Sequence, residues 1–288
     1  MVLNNYMKKA LCFFLKGFTQ AVLSIYNTVY GLLEIIFKTD MRNHVKYVKS
    51  SNVLYVFANG PSLNDDIKKI DFSKGVFSVV NNFYVSPYFK IIKPQYYIVA
   101  DPLFFLQNED VMNVIKDVEW EMTLMVPYSM WKRVEILRNI PNNNVKVIPY
   151  HTINYKGFEC FRNLLYRKGL SMPKVQNVLV ASIFIGINMG YKDIRLFGVD
   201  HSWTQTLGVN SMNQVCAVDH HFYDTGEVRY SPYLKNPNTG EMYYLHELLR
   251  YFAQMFESYH LLRKYADYRG CRIINCTKDS FIDAFERI

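Results

Sequence analysis

Val53-Leu54-Tyr55-Val56-Phe57-Ala58-Asn59-Gly60-Pro61-Ser62-Leu63 sets the class of this chain. Its first five residues are apolar and β-prone, the composition of a strand buried on both faces of a parallel sheet. Ala58, Asn59 and Gly60 predict a sharp turn, Pro61 fixes its own φ, and Ser62 stands where it can cap a following helix. In an open α/β sheet, ligands bind in the crevice beyond the carboxyl ends of such strands. Small residues in the turn allow backbone N–H groups to approach a phosphate.

Strands and helices alternate outward from this unit. Apolar runs at Val76–Val80, Tyr96–Ala100, Met122–Val126, Val145–Ile148, Ile194–Val199 and Arg272–Asn275 predict further strands. Val111–Val118 and Tyr128–Asn139 carry helical patterns. Val175–Met189 is long and apolar enough for a buried helix closed by Gly190, and Tyr244–Tyr268 reads as a second long helix. Residues from about 204 to 243 lack a clean period and are rich in polar side chains and tyrosine, as a lid or binding loop is. The pattern predicts an α/β fold with a mostly parallel Rossmann-like sheet flanked by helices. It forms one domain over residues 51–288, with an irregular lid and an N-terminal amphipathic helix.

Half of the 288 residues are hydrophobic, enough for a substantial core and incompatible with wholesale disorder. The five cysteines form no Cys-x-x-Cys pair, so no disulfide framework or zinc site is expected and a reducing compartment fits. Of the net charge of +8, residues 1–50 carry +5, through Lys8, Lys9, Lys16, Lys38, Arg42, Lys46 and Lys49 against Glu34 and Asp40. A basic excess confined to one end argues against a nucleic-acid-binding body. Between Gly17 and Phe37, Gln20, Ser24, Asn27, Thr28, Gly31 and Glu34 recur on one side of a helix that is otherwise apolar. Such a segment suits the surface of an anionic membrane, where each nearby Lys or Arg contributes about 1 kcal/mol. The competing reading packs it on the body or on a partner subunit. Residues 1–50 are therefore expected to be a basic membrane-associating segment, and the protein cytoplasmic and peripheral on the inner face of the membrane.

Polar side chains collect at the strand ends. Asn59 follows the first strand, Asn81 and Asn82 the second, Asp101 the third, and Asp200 and His201 a later one. In a parallel sheet these ends share one edge and converge on one crevice. Of the seven histidines, His201, His220, His221 and His246 cluster around the irregular segment. His44 falls in the basic arm, and His151 and His260 have no supporting context. Histidine titrates near neutrality and suits a general base. Asp200, His201, Asp219, His220 and His221 are also residue types that bind divalent ions. A structural Asp–His hydrogen bond is preferred, and no metal is expected.

Phe57-Ala58-Asn59-Gly60-Pro61-Ser62-Leu63, Asn81-Asn82-Phe83-Tyr84, Asp101-Pro102-Leu103-Phe104-Phe105 and Gly190-Tyr191-Lys192-Asp193-Ile194 resemble, in order, the framework of bacterial lipooligosaccharide sialyltransferases and of flagellin nonulosonate transferases. The wider superfamily includes proteins similar to hydroxymethylpterin diphosphokinase. Segments such as Gly198–Trp203 and Asp219–Asp224 look like a branch associated with surface polysaccharides. The resemblance implies a metal-independent, inverting transfer of a sugar from a CMP-activated nonulosonic acid, sialic acid-like or Kdo-like, to a hydroxyl of a surface-glycan or lipid-linked acceptor. No cofactor is implied, and the partners are the CMP-sugar donor, the acceptor and the anionic membrane; a homo-oligomer is compatible with it.

Carried over, Asn59 and Asn81 contact the CMP portion, with Gly60 and Ser62 beside the phosphate and Asn82 next to them. The third-strand position is Asn in the sialyltransferases and Asp101 here. Where the family has an Arg and a Ser-Gly pair, this chain has Gln176 and Asn177, which offer donors to ribose or base. The family's base lies after the lid, by position His246, with His221 as the competitor. Lid tyrosines meet the leaving phosphate in the family; one such position is Ser202 here, leaving Tyr223, Tyr230, Tyr233, Tyr243 and Tyr244 as candidates. Two rival readings are a Mg-dependent pyrophosphokinase-like enzyme using Asp101, Asp200 and Asp219, and a non-catalytic nucleotide- or glycan-binding subunit of a polysaccharide assembly.

Overall fold

The apolar run at Leu54–Phe57 becomes the middle of an eight-stranded sheet. A computed structural model describes residues 2–40, 53–101, 104–108, 110–218, 220–224, 230–236 and 239–287. Arg42, His44, Lys46, Lys49, Pro102, Leu103 and Asp219 lie outside the described residues, as do the side chains of Lys8 and Lys9.

In chain order, α1 (Val2–Lys38) is followed by β1 (Leu54–Phe57), α2 (Leu63–Asp66), β2 (Val76–Val80), α3 (Tyr88–Ile92), β3 (Tyr96–Ile98), α4 (Phe104–Gln107) and α5 (Asp110–Lys116). Then come β4 (Met122–Pro127), α6 (Tyr128–Arg133), β5 (Val145–Tyr150), α7 (Glu159–Arg167), α8 (Val178–Met189) and β6 (Asp193–Phe197). The described lid residues contribute β7 (Gly208–Val209), β8 (Val215–Val218), β9 (Tyr230–Pro232), β10 (Leu234–Asn236) and β11 (Glu241–Met242). α9 (Leu245–Arg269), β12 (Arg272–Asn275) and β13 (Glu286–Arg287) follow.

The large sheet runs β13-β12-β6-β1-β2-β3-β4-β5, and every neighbouring pair is parallel. The winding reverses at β1, which pairs with β2 on one side and β6 on the other, so the crevice beyond β1 and β6 is the topological switch point. Side chains alternate along β1: Leu54 and Val56 join one buried layer with α8 and α9, and Phe57 joins the other with Phe77, Val79 and Phe83. Both faces are covered, which is why the strands read as continuous apolar runs instead of alternating ones.

All twelve residues of α8 are buried. The Asn177 side-chain oxygen caps its start by accepting the Leu179 N–H at 2.8 Å, so the helix begins later than the apolar run suggests. Gly190, at φ +96, ends it in the left-handed region. Gly186 lets α8 lie close on the sheet, since a Cβ there would stand 2.6 Å from Leu54 Cδ2.

The described length of α1 divides in two. Near its end, Ile35 packs with Tyr155, Leu165 and Leu170, and Thr28 Oγ1 accepts a hydrogen bond from the Tyr155 hydroxyl at 3.0 Å. A Cβ on Gly31 would stand 2.6 Å from Tyr155 Cδ2, so glycine permits this seating. Toward the start, Phe13, Phe14 and Phe18 are 82%, 70% and 62% exposed. Residues Phe13–Lys38 are long and apolar enough to cross a membrane, by length and composition. The last turns of the helix thus pack on the body, while the aromatic stretch before them does not.

Candidate active site

A cleft of about 300 Å³ opens at the switch point. Asn59 and Gly60 enter it from the exit of β1, Asn81 from the exit of β2, and Asp200, His201 and Ser202 from the exit of β6. Asn177, the cap of α8, and Gln205, Thr206, His220 and His221 of the lid complete the polar wall. The parallel sheet therefore brings together most of the strand-end residues that the sequence singles out.

The two asparagines are held by neighbouring strands. Asn59 donates its side-chain amide to the Val80 carbonyl at 3.3 Å, while its Oδ1 is buried with no hydrogen-bond partner among the described residues. Asn81 Oδ1 accepts the Ala100 N–H at 3.4 Å, and the Asn81 carbonyl accepts the Tyr97 hydroxyl at 2.6 Å. Asn81 at φ +40 and His201 at φ +54 both take left-handed backbone without being glycine. Such conformations cost of order 1–3 kcal/mol and cluster at functional sites. Here they turn the chain sharply at two strand ends that frame the same cleft.

The Asn-Gly-Pro-Ser turn binds protein, not open space. The Gly60 N–H donates to the Gly198 carbonyl at 2.8 Å. Ser62 donates its N–H to Asp200 Oδ1 at 3.3 Å and its hydroxyl to Oδ2 at 2.8 Å. Both groups expected beside a phosphate are thus already engaged, and Ser62 makes no side-chain capping bond to α2. Burial raises the Asp200 carboxyl above its ordinary value, partly offset by the two Ser62 donors.

His201 is a structural residue of the wall. It is buried, its Nε2 lies 2.6 Å from the Tyr259 hydroxyl, and its ring meets Trp203 at 4.6 Å. Burial pushes its pKa down to about 3, so the ring is neutral at physiological pH.

The lid is fastened to the β1 turn through Phe222. Its N–H donates to the Asn59 carbonyl at 3.0 Å, and its carbonyl accepts the Asn64 side-chain amide at 2.8 Å. The buried Phe222 ring packs on Phe83 at 5.2 Å. This clamp places His221, half-buried, over the cleft. Its N–H donates to Asp224 Oδ2 at 2.7 Å, and its Nδ1 lies 3.6 Å from the same oxygen. With Nδ1 facing a carboxylate, Nε2 is the nitrogen able to take a proton. Tyr223 stacks on the His221 ring at 5.1 Å and 10°. Sequence reasoning passed over Asp224 as a partner of His221, although the His-x-x-Asp spacing was its signal.

Other expected residues lie elsewhere. His246 is exposed on the first turn of α9, stacked on Tyr244 at 6.0 Å, and is not part of the cleft wall. Gln176 is tied to α9, donating to Gln254 Oε1 at 3.1 Å while its carbonyl accepts the Tyr251 hydroxyl. Asp101 is exposed and Asn82 half-buried; neither lines the cleft, although Asn82 Oδ1 is a second buried acceptor with no partner among the described residues. Tyr230 and Tyr244 are exposed, and Tyr233 and Tyr243 pack on each other at 6.1 Å, all away from the cleft wall. Among the described residues no three carboxylate, imidazole or thiol side chains gather as a metal site.

No protein-family model matches the chain, and no curated protein does. Among solved structures it is similar to the MAf glycosyltransferase of Magnetospirillum magneticum AMB-1, at 14% identity and a TM-score of 0.47, over 85% of this chain and 34% of that one. It is also similar to the sialyltransferase CstII of Campylobacter jejuni, solved with the substrate analogue cytidine-5'-monophosphate. That likeness has 16% identity and a TM-score of 0.45, over 83% of this chain and 86% of that one. This chain therefore spans about a third of the length of the first structure. Both proteins are glycosyltransferases by name.

Proposed function

We propose that the cleft binds the nucleotide of a CMP-activated nonulosonic acid and that the protein transfers the sugar, with inversion and without a metal, to a hydroxyl of a lipid-linked or surface-glycan acceptor. The observation that carries this reading is Asn59 Oδ1, a buried acceptor without a partner among the described residues in a side chain that lines the cleft. Such an atom costs about 1–3 kcal/mol while unsatisfied. A ligand donor removes that cost, and the exocyclic amine of cytosine or a ribose hydroxyl is such a donor.

His221 then takes the proton of the acceptor hydroxyl on Nε2, held in orientation by Asp224. The acceptor oxygen bonds to the anomeric carbon as the bond from that carbon to the phosphate oxygen breaks, and CMP leaves with the electron pair. The Asn177 amide, the Asn81 amide and the Ser202 hydroxyl are the donors of the wall that meet the growing charge on the phosphate. His246, outside the wall, yields the base role to His221. The basic, apolar N-terminal segment keeps the enzyme on the inner face of the membrane, near a lipid-linked acceptor.

The test combines nucleotide binding with turnover of CMP-N-acetylneuraminic acid. CMP at about 100 times its Kd adds about 2.7 kcal/mol to the folded state and raises the melting temperature, whereas UDP, GDP and ATP do not. Asn59→Ala loses that rise. His221→Ala keeps it but releases CMP about 10²–10⁴-fold more slowly, while His246→Ala stays within about threefold of wild type. A melting temperature indifferent to CMP, or turnover indifferent to His221→Ala, refutes the proposal.

A further inference from the structure

We infer that a second groove, between α1 and the ends of β3, β4 and β5, holds the saccharide of a lipid-carried acceptor; this rests on the transferase reading above. The groove encloses about 580 Å³. From α1 it receives Tyr26, Asn27 and Tyr30, and from the facing loop Asn154 and Lys156. The Tyr26 and Tyr30 rings stack 6.2 Å apart at 17° and are 63% and 52% exposed. An exposed aromatic ring beside amides able both to donate and to accept is the chemistry that holds a sugar ring by its C–H face and its hydroxyls. Among the described residues, no hydrogen bond engages the side chains of Asn27, Asn154 or Lys156.

Glu34 at the groove is paired with Lys38 at 2.5 Å, and the Lys174 ammonium donates to the neutral amide of Gln254 at 2.5 Å. Lys156 and Lys174 add N–H donors for the hydroxyls of a sugar.

The groove shares a wall with the cleft. Ala100, which lines the groove, donates its N–H to Asn81 Oδ1 in the cleft at 3.4 Å, and Val175 lies two residues before the cleft residue Asn177. Along α1 in the other direction, the exposed Phe18 stands about 12 Å from Tyr26 at the helical rise. An aliphatic carrier lying along that aromatic stretch places its sugar in the groove and the sugar's free hydroxyl toward the cleft.

The experiment measures binding of octyl β-lactoside to the full chain by saturation-transfer NMR, with free lactose as the second arm and CMP-induced melting shifts recorded in parallel. Octyl β-lactoside is expected to bind with a Kd of about 1 mM. Tyr26→Ala and Asn154→Ala, both at surface positions, each weaken it about fivefold or more and leave the CMP shift and the unliganded melting temperature unchanged. Equal binding of lactose keeps the saccharide site and removes the aliphatic carrier from it. Absence of binding by both probes up to about 50 mM, or binding that neither substitution weakens, overturns the inference. Glycoside binding that persists when CMP gives no shift sinks the donor reading instead.

Discussion

Gly60→Ala is the substitution the switch point tolerates least. A Cβ on Gly60 would fall 1.9 Å from Asp200 Oδ2 and 2.6 Å from the Gly198 carbonyl oxygen. The carboxylate can rotate away, but only by giving up its bonds to the Ser62 N–H and hydroxyl. Each is worth about 0.5–1.5 kcal/mol. The Gly198 oxygen has no such freedom, because it accepts the Gly60 N–H at 2.8 Å and belongs to a glycine at φ +66. The turns after β1 and β6 must therefore spread, an overpacking cost of about 1–3 kcal/mol. The expected loss is about 3 kcal/mol, read in urea as a midpoint lowered by about 1 M at a slope near 3 kcal/mol/M. Asp200→Ala in the same chain returns only the side-chain part, so the double variant stays about 2 kcal/mol below Asp200→Ala alone. A single variant within about 0.5 kcal/mol of wild type, or complete rescue by Asp200→Ala, refutes the reasoning.

Two further expectations follow from the buried imidazole and the two-part helix. His201 is held neutral in the folded state with a pKa of about 3, against an ordinary 6.5. The stability it contributes is whole above pH 6.5 and is lost as pH falls toward 3, reaching about 3 kcal/mol at pH 4.5. Urea unfolding at pH 7 and 4.5 checks this. His201→Gln should flatten the difference between the two pH values, and an equal difference in both proteins excludes His201 as its source. Deleting residues 1–23 removes the exposed aromatic stretch and keeps Gly31 and Ile35 on the body. The shortened chain is expected to stop sedimenting with phosphatidylglycerol vesicles at low salt while melting at an unchanged temperature. Undiminished sedimentation would rule out membrane binding through α1.

The buried parallel strands were legible because burial on both faces leaves a contiguous apolar signature; Val76–Val80 and Arg272–Asn275 stand where that signature puts them. The short lid strands β7 to β11 carry no such signal, being two to four residues long and, apart from the buried β8, mostly exposed. α7 was missed, and β13 lies within what reads as a tail. At the site, strand-end position was sufficient to place Asn59, Asn81 and Asp200 in one cleft. What a side chain already binds was not legible. Nothing local to Ser62 announces Asp200, a partner far along the chain, and nothing near Gln176 announces Gln254. Where the two histidines stand was likewise a tertiary matter: Phe222, anchored on the β1 turn, sets His221 at the cleft, while His246 is exposed on α9.

The position of β1 in the sheet has a consequence for how the protein is made. Leu54 pairs with Val76, which leaves the ribosome soon after it, and with Ile194, which emerges much later. One flank of the strand can close early during synthesis, but the other stays an open, sticky edge until β6 arrives, an exposure that invites aggregation. Contacts between residues so distant in sequence also form slowly. The cleft, built from both flanks, is therefore among the last parts of the molecule to be completed, and a nascent chain stalled before residue 193 would hold Asn59 and Asn81 without a pocket to put them in.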